Sequence, residues 1–190
     1  MPIIDHFGII APFYDHAIQL KKLDQFIKAM DLPVSGVLLD VGGGTGRVAT
    51  ALQQYVTHAM VVDESMSMLE QARSKNGLCL TCSRSEYLPY PVDSFERVIM
   101  VDALHHVSNQ EGSVRELWRV VKPDGLVVIL EPDIRKMSVK VVAILEKVLL
   151  MRSHFLSPMR IADLFRFPNA EKQIIEDGFN TWICVRKKNA

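Results

Sequence analysis

Two acids and a run of glycines carry the clearest chemistry in this sequence. Asp40 stands just ahead of Gly42, Gly43, Gly44 and Gly46, and Asp63 follows 17 residues beyond the last of them. Glycines at 42, 44 and 46 let a ligand approach the backbone closely, because no Cβ stands in the way. A helix starting behind such a turn offers unpaired N–H groups to anions and polar atoms. The order is G-x-G-x-G, not the G-x-G-x-x-G of NAD sites, which disfavours a dehydrogenase. A carboxylate at the end of the next apolar run is where a parallel strand places an acceptor over a ribose. A second group, Asp102, His105 and His106, contains residue types that move protons near neutral pH. The adjacent histidines have no matching Cys/Asp/Glu cluster, so no metal is expected. Cys79 and Cys82 form a C-x-x-C, but in a strand residues three apart point to opposite faces. They read as core cysteines of a protein in a reducing cytoplasm.

The elements that must position these residues follow from periodicity. Val37–Val41 is a short apolar run with the look of a buried strand, and a helical pattern (Val48, Leu52, Tyr55) resumes after the glycines. Further strands are expected at 59–63, 78–82, 95–101 and 126–130. Between them lie helices opened by Ser65 as N-cap and by a Ser108/Glu111 capping box. The third and fourth strands are joined by a turn-rich loop, 83–91. Ahead of the first strand, apolar residues at Phe13, Ala17, Leu20, Leu23, Ile27 and Met30 mark a helix. A long helix is expected over 136–151 and a shorter one from Pro158. Asp177-Gly178 between two strand-like runs is a strong hairpin signal; a helix over 170–176 is the alternative. Alternating strands and helices imply right-handed crossovers and a parallel sheet covered on both faces. The fold class is therefore α/β: a Rossmann-like, seven-stranded, mostly parallel sheet with a C-terminal antiparallel hairpin.

Composition sets the outer limits. A chain of 190 residues fits one domain, divided into a helical lid (1–36), a ligand-binding core (37–133) and C-terminal helices with the hairpin (134–190). Apolar residues at 48% exclude a disordered chain. Lysine plus arginine equals aspartate plus glutamate at 22 each, which removes the electrostatic reason to expect nucleic acid. The most hydrophobic stretch, 139–151, carries Lys140, Glu146 and Lys147 and is not expected to span a bilayer.

Several stretches in order resemble the class I S-adenosylmethionine-dependent methyltransferases, and among them the ubiquinone/menaquinone-biosynthesis type. They are FGIIAPFYD (7–15), LDVGGGTG (39–46), VVDES (61–65), LPY (88–90), FERVIMVDALHHV (95–107) and VKPDGLVVILEPD (121–133). The resemblance implies S-adenosyl-L-methionine as cofactor, methyl transfer to a small-molecule acceptor, and a site at the carboxyl ends of strands one to four. By position, Gly42, Gly44 and Gly46 would face the methionine and ribose portions, with Thr45 adding a hydroxyl or N–H. Asp40 would act near the amino group, Asp63 would take both ribose hydroxyls, and Ser65 and Met66 would border the adenine. One departure is visible. The family's G-D-A-x-x-L-P-F loop reads Ser83-Arg84-Ser85 here, and a guanidinium cannot accept from the adenine amine. The backbone of Ser85, or Glu86, is left to serve the ring.

For chemistry, a sulfonium is already a good leaving group, so positioning can supply much of the rate and a base matters only if the acceptor loses a proton. If residues 102–106 stay extended, Asp102 and His106 share one side, and His106 is the expected base with Asp102 orienting it. The competing reading is that these residues only shape the pocket. Apolar Phe7, Ile9, Phe13, Phe155 and Leu156 point to a partly hydrophobic acceptor. A cofactor-binding subunit without transferase activity is the alternative function.

Overall fold

The computed structural model describes residues 23–148 and 153–189. In chain order the elements are α1 (Leu23–Ala29), β1 (Val37–Val41), α2 (Arg47–Leu52), β2 (His58–Asp63), α3 (Met66–Ala72), β3 (Leu78–Cys82), β4 (Phe95–Val101), α4 (Gln110–Val120), β5 (Val121–Pro132), α5 (Met137–Val148), α6 (Pro158–Leu164), β6 (Ala170–Asp177) and β7 (Asn180–Lys187). Most of the expected N-terminal helix, with Phe7, Ile9 and Phe13, lies outside the described residues, as does the end of the long helix expected to reach Met151.

The strands form a single seven-stranded sheet in the order β3-β2-β1-β4-β5-β7-β6. Pairing is parallel from β3 through β5 and antiparallel at β5–β7 and β7–β6. Side chains alternate across this sheet, so each strand feeds two apolar layers. Leu39, Val41, Val98, Met100, Val127 and Ile129 meet α4 and α6 on one face. Leu38, Ile99, Val128 and Leu130 meet α1 and α2 on the other, and Val61 with Ala59 meets α2 and α3 beside them. The buried guanidinium of Arg97 ties α1 to this framework, donating to the carbonyls of Met30 (2.5 Å) and Asp31 (2.9 Å) past the helix end.

The hairpin expected at Asp177-Gly178 is present, with Gly178 at φ +61°. Three local expectations need correction. The cap of α4 is Asn109, whose side chain accepts from Gly112 N at 2.9 Å, so the helix is capped one residue later than Ser108 and the expected Ser108/Glu111 box does not form. β5 begins at Val121 and includes the Lys122–Gly125 turn, because Val121 pairs with Phe95 before a register shift. Cys79 and Cys82 are exposed and not core residues. β3 is an edge strand, so its side chains lack the cover that a central strand receives.

Candidate active site

An acid closes each of the strands that border the site. Asp40 and Asp63 lie within the ends of β1 and β2, Asp102 follows β4, and Glu131 lies at the end of β5. All are at the carboxyl edge, where open parallel sheets bind ligands.

The glycine loop leaves β1 by pairing with β2: Gly42 N and Gly43 N both donate to Val62 O (2.7 and 3.2 Å). Asp63 fixes the next residues. Its Oδ2 accepts from Gly44 N and its Oδ1 from Ser65 N, each at 2.8 Å. One carboxylate thereby joins the loop after β1 to the start of α3. Ser65 caps that helix, its Oγ accepting from Met68 N at 3.4 Å, and Met66 beside it is 48% exposed.

The four glycines differ in what surrounds them. A Cβ on Gly42 would stand 2.7 Å from Ala103 Cβ, one on Gly43 2.7 Å from Asp40 Cγ, and one on Gly46 2.7 Å from Leu78 Cδ1. These positions are glycine because neighbouring side chains fill the space. Only Gly44 opens outward, with Asp63 Oδ2 and Met68 Sδ the nearest atoms, both 3.9 Å from a Cβ built there. Thr45 is buried, and its carbonyl accepts from Lys75 Nζ at 2.6 Å.

Asp40 lies beneath the loop and is 1% exposed. Its Oδ2 accepts from Ala49 N at 3.2 Å, whereas Oδ1 is buried with no hydrogen-bond partner among the described residues. Burial disfavours the charged carboxylate and pushes its pKa up to about 7, against the opposing pull of Ala49 N–H and Arg47.

The departure at Arg84 has a partner. Its Nη2 donates to Glu86 Oε1 at 2.9 Å, and the Glu86 side chain is only 7% exposed. Glu86 Oε1 also accepts from Asn109 N at 3.3 Å. Ser85 is tied to α4 through an Oγ–Oγ bond to Ser113 at 2.7 Å.

The β4 mouth is not extended. Asp102 has φ +49°, and Leu104–His106 forms a 3-10 turn. The strand-like alternation that would pair Asp102 with His106 is therefore absent. His105 meets a carboxylate: its Nδ1 lies 2.5 Å from Glu131 Oε2, with both side chains buried. Glu131 Oε1 accepts from Ala103 N and Leu104 N (3.1 and 2.8 Å), so β5 holds the turn after β4. Phe155 stacks on the His105 ring at 4.3 Å, and His154 N donates to His105 O at 2.6 Å. His106 Nδ1 meets Ser153 Oγ at 3.2 Å. Burial, aided by neighbouring His105, drives the His106 pKa down to about 3. Sequence reasoning gave Glu131 no role, although an acid ending a wholly apolar run is the signal that singled out Asp63. No group of three or more metal-ligating side chains occurs among the described residues.

Residues 39–129, which hold the glycine loop, Asp63 and the β4 mouth, fit the family model described as a methyltransferase domain. Over those residues, just under half of its length, the chain is similar to methyltransferase domains. It is 31% identical over 130 residues to a rice chloroplastic 2-methyl-6-phytyl-1,4-hydroquinone methyltransferase, covering 63% of this chain and 39% of the relative. It is 32% identical over 104 residues to the ubiquinone/menaquinone biosynthesis C-methyltransferase UbiE of Vibrio parahaemolyticus, covering 50% of this chain and 40% of that one. The chain thus spans about two fifths of the length of these curated relatives. The fold matches that of YcgJ from Bacillus subtilis with a TM-score of 0.78, at 20% identity over 89% of this chain and 99% of that one.

Proposed function

We propose that this protein transfers the methyl group of S-adenosylmethionine to a small, quinol-type aromatic acceptor. The carrying observation is the outward-facing Gly44 beside Asp63, at the edge where β1 and β2 end. The residues present suit the cofactor. Asp63 serves the two ribose hydroxyls, since a carboxylate accepts several hydrogen bonds at once. The buried Oδ1 of Asp40, unpartnered among the described residues, is an acceptor that a nearby ammonium group would draw into its ionised form. Met66 offers an apolar surface to a purine, and the backbone near Ser85 offers polar atoms in place of the missing acid. Gly42 and Gly46 serve by packing, and Thr45 by anchoring the loop from behind.

When bound, the cofactor supplies an activated methyl group on sulfur. This chain's own contribution is alignment and exclusion of water. Glu131 and His105 act as a positioning pair that fixes the turn after β4 and seats Phe155 over the mouth. His106, with a pKa near 3, is neutral at physiological pH and a weak base. We therefore assign it a hydrogen-bonding, pocket-shaping role, through Ser153, in place of proton removal. The names of the curated relatives, a phytyl hydroquinone enzyme and one of ubiquinone/menaquinone biosynthesis, support the acceptor class.

The test is turnover of methyl-labelled S-adenosylmethionine with a panel of quinols, amines and thiols. Quinol methylation alone supports the reading. Cofactor binding without turnover on any acceptor would favour a non-enzymatic subunit. With an acceptor in hand, His106→Gln should cost less than tenfold in turnover, with no inflection between pH 5 and 9 lost. A hundredfold loss, the scale of a general base, would reinstate His106 as that base.

A further inference from the structure

Helix α5 displays an apolar stripe on its outer side. Met137 is 71% exposed, Val141 54%, Ile144 62% and Leu145 56%, whereas Val139 is fully buried. At 100° per residue, the four exposed residues fall within about 100° of one another and Val139 lies opposite them. The helix thus has a core-facing side and, across from it, a second apolar side without cover among the described residues. Lys136 and Lys140, both exposed, flank one edge of that stripe by the same geometry. Nearby Arg135 is already engaged by Asp133 and Glu176 (2.7 and 2.6 Å), so the flanking positive charge comes from the lysines.

An apolar stripe with lysines along its border is the pattern of a helix lying in a membrane interface. A binding groove for another protein helix needs no such cationic border. Position agrees with this. α5 follows the carboxyl end of β5, and the chain next returns to the β4 mouth, where His154 and Phe155 contact His105. The described residues that flank α5, Asp133 before it and His154 after it, thus both sit at the carboxyl edge of the sheet. No helix among the described residues is long and apolar enough to cross a membrane, so attachment here is to the surface.

We infer that α5 docks the protein onto an anionic lipid bilayer, with Met137, Val141, Ile144 and Leu145 entering the interface and Lys136 and Lys140 meeting lipid headgroups. The acceptor mouth then faces the lipid. Binding by this face does not depend on methyl transfer, so the two readings can fail separately.

The experiment is vesicle flotation of the full chain with phosphatidylglycerol/phosphatidylcholine vesicles and with pure phosphatidylcholine. Wild type should float with the mixed vesicles and stay largely in solution with the neutral ones. Lys136→Glu/Lys140→Glu should weaken partitioning by about thirtyfold or more, taking roughly fivefold for each lysine charge at an anionic surface. Val141→Asp/Ile144→Ser should abolish it. Both variants alter exposed side chains, and unchanged circular dichroism and cofactor affinity verify their fold. Failure of the wild type to bind mixed vesicles would overturn the inference, as would variants that float like wild type. A concentration-dependent dimer that the apolar variant dissociates, without vesicle binding, would assign the face to a second copy and also overturn it.

Discussion

Asp40→Asn tests the electrostatics of the glycine loop most directly. Asp40 is fully buried, and its carboxyl pKa is raised from 3.8 to about 7 by that burial. The folded chain holds this proton more tightly than the unfolded chain does. The group's contribution is therefore fully present below pH 3.8 and is lost as the pH rises through about 7. Between those limits each pH unit removes about 1.4 kcal/mol, so the total is on the order of 4 kcal/mol. Asparagine has the same shape and can still accept from Ala49 N, but it does not titrate. Its other effects add a constant offset. In urea unfolding at pH 5, 6, 7 and 8, the variant should gain on wild type by about 1.4 kcal/mol per unit from pH 5 to 7 and then level off. That change corresponds to roughly 1 M in the difference between midpoints for a typical slope. A difference that stays flat from pH 5 to 8 would refute the buried, protonatable Asp40. Cofactor binding extends the test: an ammonium placed near Asp40 should make binding release a proton at pH 6, detectable by calorimetry in two buffers.

Asp63→Ala removes the acceptor of two backbone N–H groups together with the proposed ribose partner. Cofactor affinity should fall at least a hundredfold, because charge-assisted bonds contribute about 1.5–3 kcal/mol each, and calorimetry giving unchanged affinity would reject the assignment. Gly46→Ala should destabilise by about 2–4 kcal/mol, from left-handed backbone at φ +73° plus collision with Leu78. Gly44→Ala, at φ +55° with only van der Waals contacts to Asp63 Oδ2 and Met68 Sδ, should cost about 1–2 kcal/mol but lose cofactor affinity; thermal unfolding that ranks them equally would contradict this division. Arg84→Asp reads from sequence as restoring an acceptor for adenine. Because Arg84 pairs with the buried Glu86, it should instead weaken cofactor binding more than tenfold, and affinity held or improved would show that the loop tolerates two acids.

The sheet was legible because its signals are local. Apolar runs, the glycine turn and Asp177-Gly178 each act within a few residues, and the β1 and β2 acids are spaced by one crossover. What escaped the sequence depends on contacts between distant segments. Cys79 and Cys82 look like core residues until the sheet order places β3 at an edge. The cap at Asn109 competes with Ser108 one residue away, and only the folded chain shows which side chain reaches Gly112. His105 and His106 are indistinguishable by type. Their difference comes from Glu131, 26 residues further along the chain, and from a tight turn that no alternation pattern announces. Arg84 was readable as a departure from the family loop, but its engagement by Glu86 follows from how that loop curls against α4.

The strand order also bears on how the molecule comes to be folded. β7 lies between β5 and β6, and Val128 at the middle of β5 pairs with Cys184. A ribosome therefore delivers the edge strand β6 before the interior strand that must separate it from β5. Until residues 180–187 emerge, β5 presents a bare apolar edge rich in Val, Ile and Leu, open to a neighbouring nascent chain. β6, whose partner in the sheet is β7, has no native seat of its own during that interval. The five parallel strands can assemble early, but closure of the sheet waits for its last-made segment, and a chain shortened within β7 would leave both sides of that gap exposed.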